Sequence, residues 1–499
     1  MRMENKREEA GLLRHQQRKA EREARRKNRK RQSAFLPEIK SLGTEATNFT
    51  DQAKTKFRTE NGLNEKTVRQ IAQEKKEPDW MLENRLKALK LFEELPQPVW
   101  GPDVSAVDMN KIAAYVRPDA QKAQKWEDVP EEIRDTFVKL GVPDEEIKYL
   151  SGLGAQYDSE IVYHNLKGYL LEQGVIYTDM DSAVKDYPDL VRAHFSKLIS
   201  PSLHKYAALH YAVWSGGAFI YVPEGVDVDI PLQSYYRFNA AGAGQFEHTL
   251  IIVEKNASVH FIEGCSAPKY NVVNLHAGAV EIFIREGGKM RFSTIENWAK
   301  NMYNLGTKRA RVEKNGKMEW ISGSFGSACT MLYPASILVG EGASSEYTGI
   351  TFASKGQELD TGAQVMHFAP NTYSTINSKS IVKDGGKAYY RGTVDIGKNA
   401  RDAKCSTSCE SLILDTLSHS TTIPSIRIAN DSVDMGHEAK IGRIDEETIF
   451  YLMSRGIPED EAKAMIVRGF AEPITKELPM EYAVEMNNLI NLEVKGAIG

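Results

Sequence analysis

From Gly216 to Ile428 no helical period occurs; β-branched and polar residues alternate instead. The segments AFIYVPEGVDVDIPLQSYYRF, HTLIIVEKNASVHFIEG, AVEIFIREGGKMRFSTIENW, ARVEKNGKMEWISGSF and SILVGEGASSEYTGITF share one plan. A strand meets a tight Glu-Gly, Lys-Asn, Gly-Gly or Asn-Gly corner, and a second strand follows. Corners are expected near Gly225, Asn256, Gly287, Asn315 and Gly342, then closer together at Asn371, Gly385 and Asn399. That is a loose repeat of about thirty residues, which suggests a solenoid of stacked coils. An antiparallel sandwich is the rival, because the same corners also make hairpins. A solenoid needs its end coils covered, and the helical segments before Gly216 and after Asp445 are expected to cap it.

Helical signals flank this array. GLNEKTVRQIAQEKKEPDWMLENRLKALKLFEELP reads as two helices parted near Pro78, with Trp80, Leu82, Leu86 and Leu89 at helical spacing and Trp80 as a packing anchor. The stretch from Trp100 to Trp126 reads as a mobile connection, and VPEEIRDTFVKLGVPDEEIKYL as two short helices. Further helical segments run through Ala183–Lys185, Pro188–Leu198 and Leu203–Trp214. After Asp445 come RIDEETIFYLMSRGIPEDEAKAMIVRGFAEPITKEL and MEYAVEMNNLINLEVKG, three helices in which Tyr451, Leu452, Met465, Ile466, Val467 and Phe470 are expected to be core. A partner-docking face is the alternative for these residues. The expected organisation is a basic tail (1–35), an N-terminal helical region (36–200), a β core (201–436) and a C-terminal helical region (437–499).

Composition narrows the function. A net charge of −4 gives no field pointing to nucleic acid, and a mean hydropathy of −0.43 without a long apolar run gives no spanning helix. The basic run at the start has no apolar stripe and reads as a solvated tail. It also lacks the apolar core of a secretion signal, so a cytoplasmic protein is expected. Cys265, Cys329, Cys405 and Cys409 are too few for a disulfide framework, and reduced thiols are expected. No GxxxxGK motif occurs, so the chain should not hydrolyse ATP itself.

Chemistry concentrates between Lys404 and Lys440, where Cys405, Cys409 and Glu410 precede His437 and Glu438. Thiolate, imidazole and carboxylate are the side chains that bind iron or zinc. Only a chain that leaves and returns can bring Cys409 beside His437, and a coil does so. Cys265 and Cys329 taken alone read as buried inert thiols. His248, His260, His276 and His367 read as hydrogen-bonded structural histidines. Asp227, Asp229, Glu281, Glu296 and Asp395 are the candidate acids of a glycan-cleaving solenoid, the rival reading, and form no visible pair. An adaptor that recruits an ATPase, with its cysteines incidental, is a further alternative.

Five motifs in one order, IEGCSAP, TKRA, YRG, CESL and GHEAKIGRIDEETIFYLMSRG, make the chain similar to the SufB/SufD family of iron–sulfur cluster assembly scaffolds of the SUF system. The similarity runs from about Phe57 to the carboxyl terminus. It implies a right-handed parallel β-helix flanked by helical regions, acting as a scaffold and not as an enzyme. Implied partners are a SufD-type paralogue or a second copy of the chain, and two copies of the SufC ATPase on the C-terminal helices. A cysteine desulfurase of the SufS type with a SufE or SufU sulfur carrier, and recipient apo-proteins, complete the set. The implied cargo is a nascent iron–sulfur cluster of the four-iron, four-sulfur type, and some complexes of this kind also carry reduced flavin.

Residue by residue, the resemblance makes Cys265 the sulfur acceptor and Cys409, His437 and Glu438 the cluster-building and metal-binding residues. It places Arg237, Asn239, Trp298 and Lys308 on an internal sulfur path, and Lys308 and Arg237 would supply positive charge near Cys265. Glu296 departs from a glutamine found in some relatives, and Cys405 has no counterpart in every relative.

Overall fold

A computed structural model describes residues 50, 53–123, 125–139, 152–477, 486 and 490. The basic tail, the second of the two short helices and most of the last C-terminal helix lie outside the described residues.

The core is a β-solenoid of about eight turns flanked by helical regions. Its first sheet stacks the strands Leu232–Arg237, Ser258–Ser266, Lys289–Trp298, Lys317–Gly326, Ser344–Ala353, Tyr373–Val382, Ala403–Ile413 and Val433–Arg443, each parallel to the next. The parallel pairing excludes the sandwich. The second sheet stacks Ala218–Val222, His248–Val253, Ala279–Ile284, Thr307–Val312, Ala335–Leu338, Glu358–His367 and Lys387–Ile396. A shorter row, Gly244–Gln245 through Cys329–Leu332, merges into Glu358–His367, so the early coils have an extra side that the later ones lose.

The corners explain the stacking. Gly225, Asn256, Gly287, Asn315, Gly342, Asn371 and Asp402 all hold positive φ. Gly225 N–H donates to Lys255 O, Asn256 N–H to Glu286 O, and Gly287 N–H to Lys314 O, so each corner is bonded to the one above it. Asparagine, aspartate and glycine are the residues that tolerate this left-handed conformation. The expected corner at Asn399 forms with Asp402 in the left-handed position instead.

The N-terminal end is closed. The hairpin Gly152–Tyr157 and Glu160–Leu166 extends the first sheet, Ile176–Asp179 pairs antiparallel with Ala218–Val222, and the wholly buried helix Lys205–Val213 packs beside them. The helices Glu65–Lys75 and Asp79–Glu94 fall where the pattern places them. The Trp100–Trp126 stretch is not a mobile connection: Ile112, Ala113, Ala114, Tyr115 and Val116 are buried, because Val116–Pro118 pairs with Thr55–Arg58.

Among the described residues, the C-terminal helices do not cap the other end. Glu459–Thr475 lies on the outer face of the first sheet, where Ala464, Val467, Ala471 and Ile474 pack with Ile262, Ile295, Ile321, Ile350 and Ile381. That outer face is apolar, and covering it removes more hydrocarbon from water than a polar end coil offers. Val467 is core as expected, but Tyr451 and Met465 are exposed, beside exposed Phe450 and Met453. The last strand, Val433–Arg443, is left uncovered among the described residues.

Candidate functional site

Because the strands stack in register, every interior side chain sits in a column running along the solenoid. One column is aromatic and aliphatic: Leu232, Phe261, Phe292, Trp320, Tyr347 and Ile376 lead to Thr407 and His437. The next is polar: Glu263, Thr294, Ser322, Gly349 and Ser378 lead to Cys409. Beside it, Cys265, Glu296, Ser324, Thr351, Ser380 and Ser411 form another. These polar side chains are buried. Thr351 reaches Thr361 on the opposite sheet at 2.8 Å, and Ser411 reaches Ser420 at 2.8 Å. A hydroxyl stripe therefore connects the coil of Cys265 to the coil of Cys409 through the interior.

At the Cys265 end the side chains are interlocked. Lys308 Nζ donates to Glu263 Oε1 at 2.8 Å and stands 3.9 Å from Glu296 Oε1. Glu296 Oε2 accepts from Asn304 Nδ2 at 2.7 Å, Asn304 Oδ1 meets His276 Nδ1 at 2.7 Å, and His276 Nε2 meets Glu247. Burial disfavours charge on His276, but the Glu247 carboxylate, with Glu296 and Asn304, outweighs it and holds its pKa at about 9. Trp298 stacks 4.7 Å from the His276 ring and packs with Cys265, Tyr236 and Met302. Cys265 itself is 3% exposed. Burial pushes its thiol well up, the carboxylates of Glu263, Glu247 and Glu296 push further, and Lys308 only partly opposes them.

Two of the expected residues stand apart from the Cys265 side chain. Arg237 pairs with Ser266 and Tyr236 pairs with Cys265, so Arg237 lies on the opposite face of the sheet from Cys265. Its Nη1 donates to Ser266 Oγ at 3.4 Å. Asn239 sits in the following loop, where its backbone N–H donates to Asp158 Oδ1 at 2.6 Å and its carbonyl accepts from Tyr270 at 2.6 Å. Of the path residues expected, Trp298 and Lys308 face the interior with Cys265.

At the other end, the return of the chain brings Cys409 and His437 onto neighbouring strands. Cys409 pairs with Ala439 and Thr407 pairs with His437, which puts both on the inner side, two positions apart. Cys405 shares that side and pairs with Met435. Burial and the neighbouring Glu410 carboxylate raise the Cys409 thiol. Glu438 pairs with Ser408 and faces outward, its carboxylate 2.9 Å from Lys440 Nζ. The fold therefore brings Cys409 and His437 to one face and leaves Glu438 on the other, beside Glu410. Among the described residues no group of three or more histidine, cysteine, aspartate or glutamate side chains is arranged to hold a metal ion.

The remaining candidates resolve simply. Cys329 is buried core, and burial lifts its thiol to about 12. His248 bonds His210, His260 bonds Ser293, and His367 bonds Thr372 and Ser374. The acids weighed for glycan cleavage are scattered: Glu281 caps backbone N–H groups of Ser196, Leu198 and Ile199, and Asp395 pairs with Arg427.

The family model for the SUF system FeS cluster assembly SufBD core domain matches residues 236–470, and that for the SufBD protein N-terminal region matches residues 65–234. The chain belongs to the SufBD family. The iron–sulfur cluster assembly protein SufB of Bacillus subtilis is 52% identical over 92% of this chain and 98% of its own length. SufBD family proteins of Staphylococcus epidermidis and Staphylococcus aureus are each 52% identical over 90% of this chain and 97% of their own length. The fold and the family thus agree with the five motifs. What motif reading missed in this SufBD chain is the interior stripe: Thr294, Ser322, Ser324, Thr351, Ser378 and Ser380. The available signal was hydroxyl residues recurring at core positions of successive repeats, where aliphatic side chains would otherwise be expected. No helix among the described residues is long and apolar enough to cross a membrane.

Proposed function

We propose that this SufBD protein is a scaffold on which an iron–sulfur cluster is assembled as cargo. Cys265 accepts sulfur as a persulfide from a desulfurase and its carrier. Two electrons from a reductant such as a reduced flavin cleave that S–S bond, returning the Cys265 thiolate and releasing the sulfur as hydrosulfide, which moves inside the solenoid to Cys409, where iron joins it. The observation that carries the reading is the buried polar stripe joining the two cysteines' coils through the interior. Hydroxyls there can solvate a sulfur anion that an aliphatic lumen would reject.

Cys409 and His437 supply thiolate and imidazole ligands, an incomplete set that suits a scaffold obliged to release its product. Glu438, on the outer face of the same strand, serves the seam with a partner. Further ligands come from a second subunit, a SufD-type paralogue or another copy, added along the exposed strand Val433–Arg443. The exposed apolar side chains Phe450, Tyr451, Met453 and Met465 are the docking face for the SufC-type ATPase, whose motion opens the seam.

Anaerobic reconstitution with iron and sulfide tests the reading. The wild-type complex gains the visible absorbance of a cluster, and Cys409→Ala does not. Absence of a cluster from both proteins would leave the ATPase-recruiting adaptor, a role in which the cysteines are incidental, and equal cluster content in the two would remove Cys409 from the site.

A further inference from the structure

Cys265 has a carboxylate on two sides. Glu263 lies two residues back on the same strand and face, and Glu296 is its register partner on the next strand, also on that face. Adjacent parallel strands lie about 4.8 Å apart, so Glu296 stands directly beside the thiol.

The two acids are not equivalent. Glu263 Oε1 is held by Lys308 at 2.8 Å and by Thr294 at 3.3 Å. Glu296 receives one neutral hydrogen bond, from Asn304 to Oε2, and Lys308 stands off at 3.9 Å. Its Oε1 is buried and has no hydrogen-bond partner, in a side chain 1% exposed. A buried acceptor is seldom left unbonded; Glu263 Oε2 is likewise unbonded, but its carboxylate already holds Lys308, and the Cys265 thiol on the adjacent strand is a further group with a proton to give Glu296.

We propose that Glu296 is the general base for sulfur loading at Cys265. This rests on the reading of Cys265 as the acceptor. The thiol proton passes to Glu296 Oε1, and the thiolate attacks the outer sulfur of a donor persulfide. A new S–S bond forms at Cys265, and the donor's S–S bond breaks with its electron pair left on the donor sulfur, which takes up a proton. The transferred sulfur keeps its oxidation state, so no oxidant or reductant enters.

The proton transfer moves one negative charge from oxygen to sulfur without changing the total charge of the chamber. Forming the thiolate by release of the proton to solvent would instead bury a new charge. The charged and titratable groups facing Glu296 are Glu263 and Cys265 on the adjacent strand, Lys308 and His276 across the interior, and Tyr347 further along it. Glu247 acts through His276. Burial raises the Glu296 carboxyl above its ordinary range, despite Lys308 and His276.

A glutamine keeps the size and the Asn304 bond but takes no proton. Glu296→Gln therefore separates two roles by sign. As a base, its loss slows loading; as a bystander charge repelling the thiolate, its loss speeds loading.

The test uses the full chain with Cys329, Cys405 and Cys409 replaced by serine, and cysteine persulfide as the donor. Donor concentration is kept where the rate rises linearly, and sulfur on Cys265 is followed by peptide mass spectrometry. Glu296→Gln is expected to load about a hundredfold more slowly. It should also lose the fall in rate that the parent shows as pH drops through the Glu296 pKa. Where Glu296→Gln unfolds, Glu296→Asp replaces it: the charge stays but the oxygen withdraws, and loading is again slower. Equal or faster loading in these variants overturns the assignment alone. A parent chain that carries no sulfur on Cys265 overturns the acceptor reading, and the base with it.

Discussion

The two ends of one interior stripe differ in how complete they are. Around Cys265, Lys308 bonds Glu263 and stands 3.9 Å from Glu296, Glu296 bonds Asn304, Asn304 bonds His276 and His276 bonds Glu247 inside the coil, with Ala113 and Val116 of the N-terminal region packed in the same cluster. Around Cys409 the same stacking runs out: the covering strand Val433–Arg443 is mostly exposed, and Glu438 on it pairs with exposed Lys440 two residues along. The contrast teaches that one end is electrostatically finished within a single chain, while the other end presents an edge.

The comparison is broken most sharply by Lys308→Met. It leaves Glu263 and Glu296 facing each other without their cation, and destabilisation of about 3–5 kcal/mol is expected in denaturant unfolding. Lys440→Met at the open end removes an exposed partner of Glu438, and the same measurement should not detect it. Similar losses from both would erase the distinction between the ends.

The pH dependence of stability sharpens the contrast further. His276 titrates at about 9 in the folded chain and near 6.5 when unfolded, so its charge contributes stability that is complete below pH 6.5. That contribution, on the order of 3 kcal/mol, fades as pH rises through 9. The unfolding midpoint should fall over this window in the parent and much less in His276→Gln. An equal slope in both would place the titrating group elsewhere.

Glycine substitutions give the smallest effects. A Cβ on Gly349 would stand 2.3 Å from the Tyr347 hydroxyl inside the stripe, whereas one on Gly436 meets nothing within 4 Å. Gly349→Ala should cost about 1–3 kcal/mol through overpacking. Gly436→Ala should leave the unfolding midpoint unchanged or slightly raised, since an alanine suits a strand better than glycine.

Part of this was legible in the sequence because it is local. Seven of the expected corner positions, Gly225, Asn256, Gly287, Asn315, Gly342, Asn371 and Gly385, hold positive φ, and each was marked by a residue that tolerates it. The helices Glu65–Lys75, Asp79–Glu94 and Lys205–Val213 carried their own period and boundaries. The misplaced cap was a packing question: the apolar stripe of Glu459–Thr475 announced a burial but not its target, and isoleucines from five separate strands made that target.

The amino-acid order alone determined that strands and left-handed corners repeat, and which thiols, imidazoles and carboxylates the chain can offer. Alternation assigns neighbours to opposite faces, but it does not say which face is inside or which residue of the next coil lies alongside. Those were decided by inter-coil register, a contact between positions some thirty residues apart that no local preference encodes. Register alone turns Arg237 away from Cys265, sets Glu296 beside it, and divides His437 from Glu438 across the last strand.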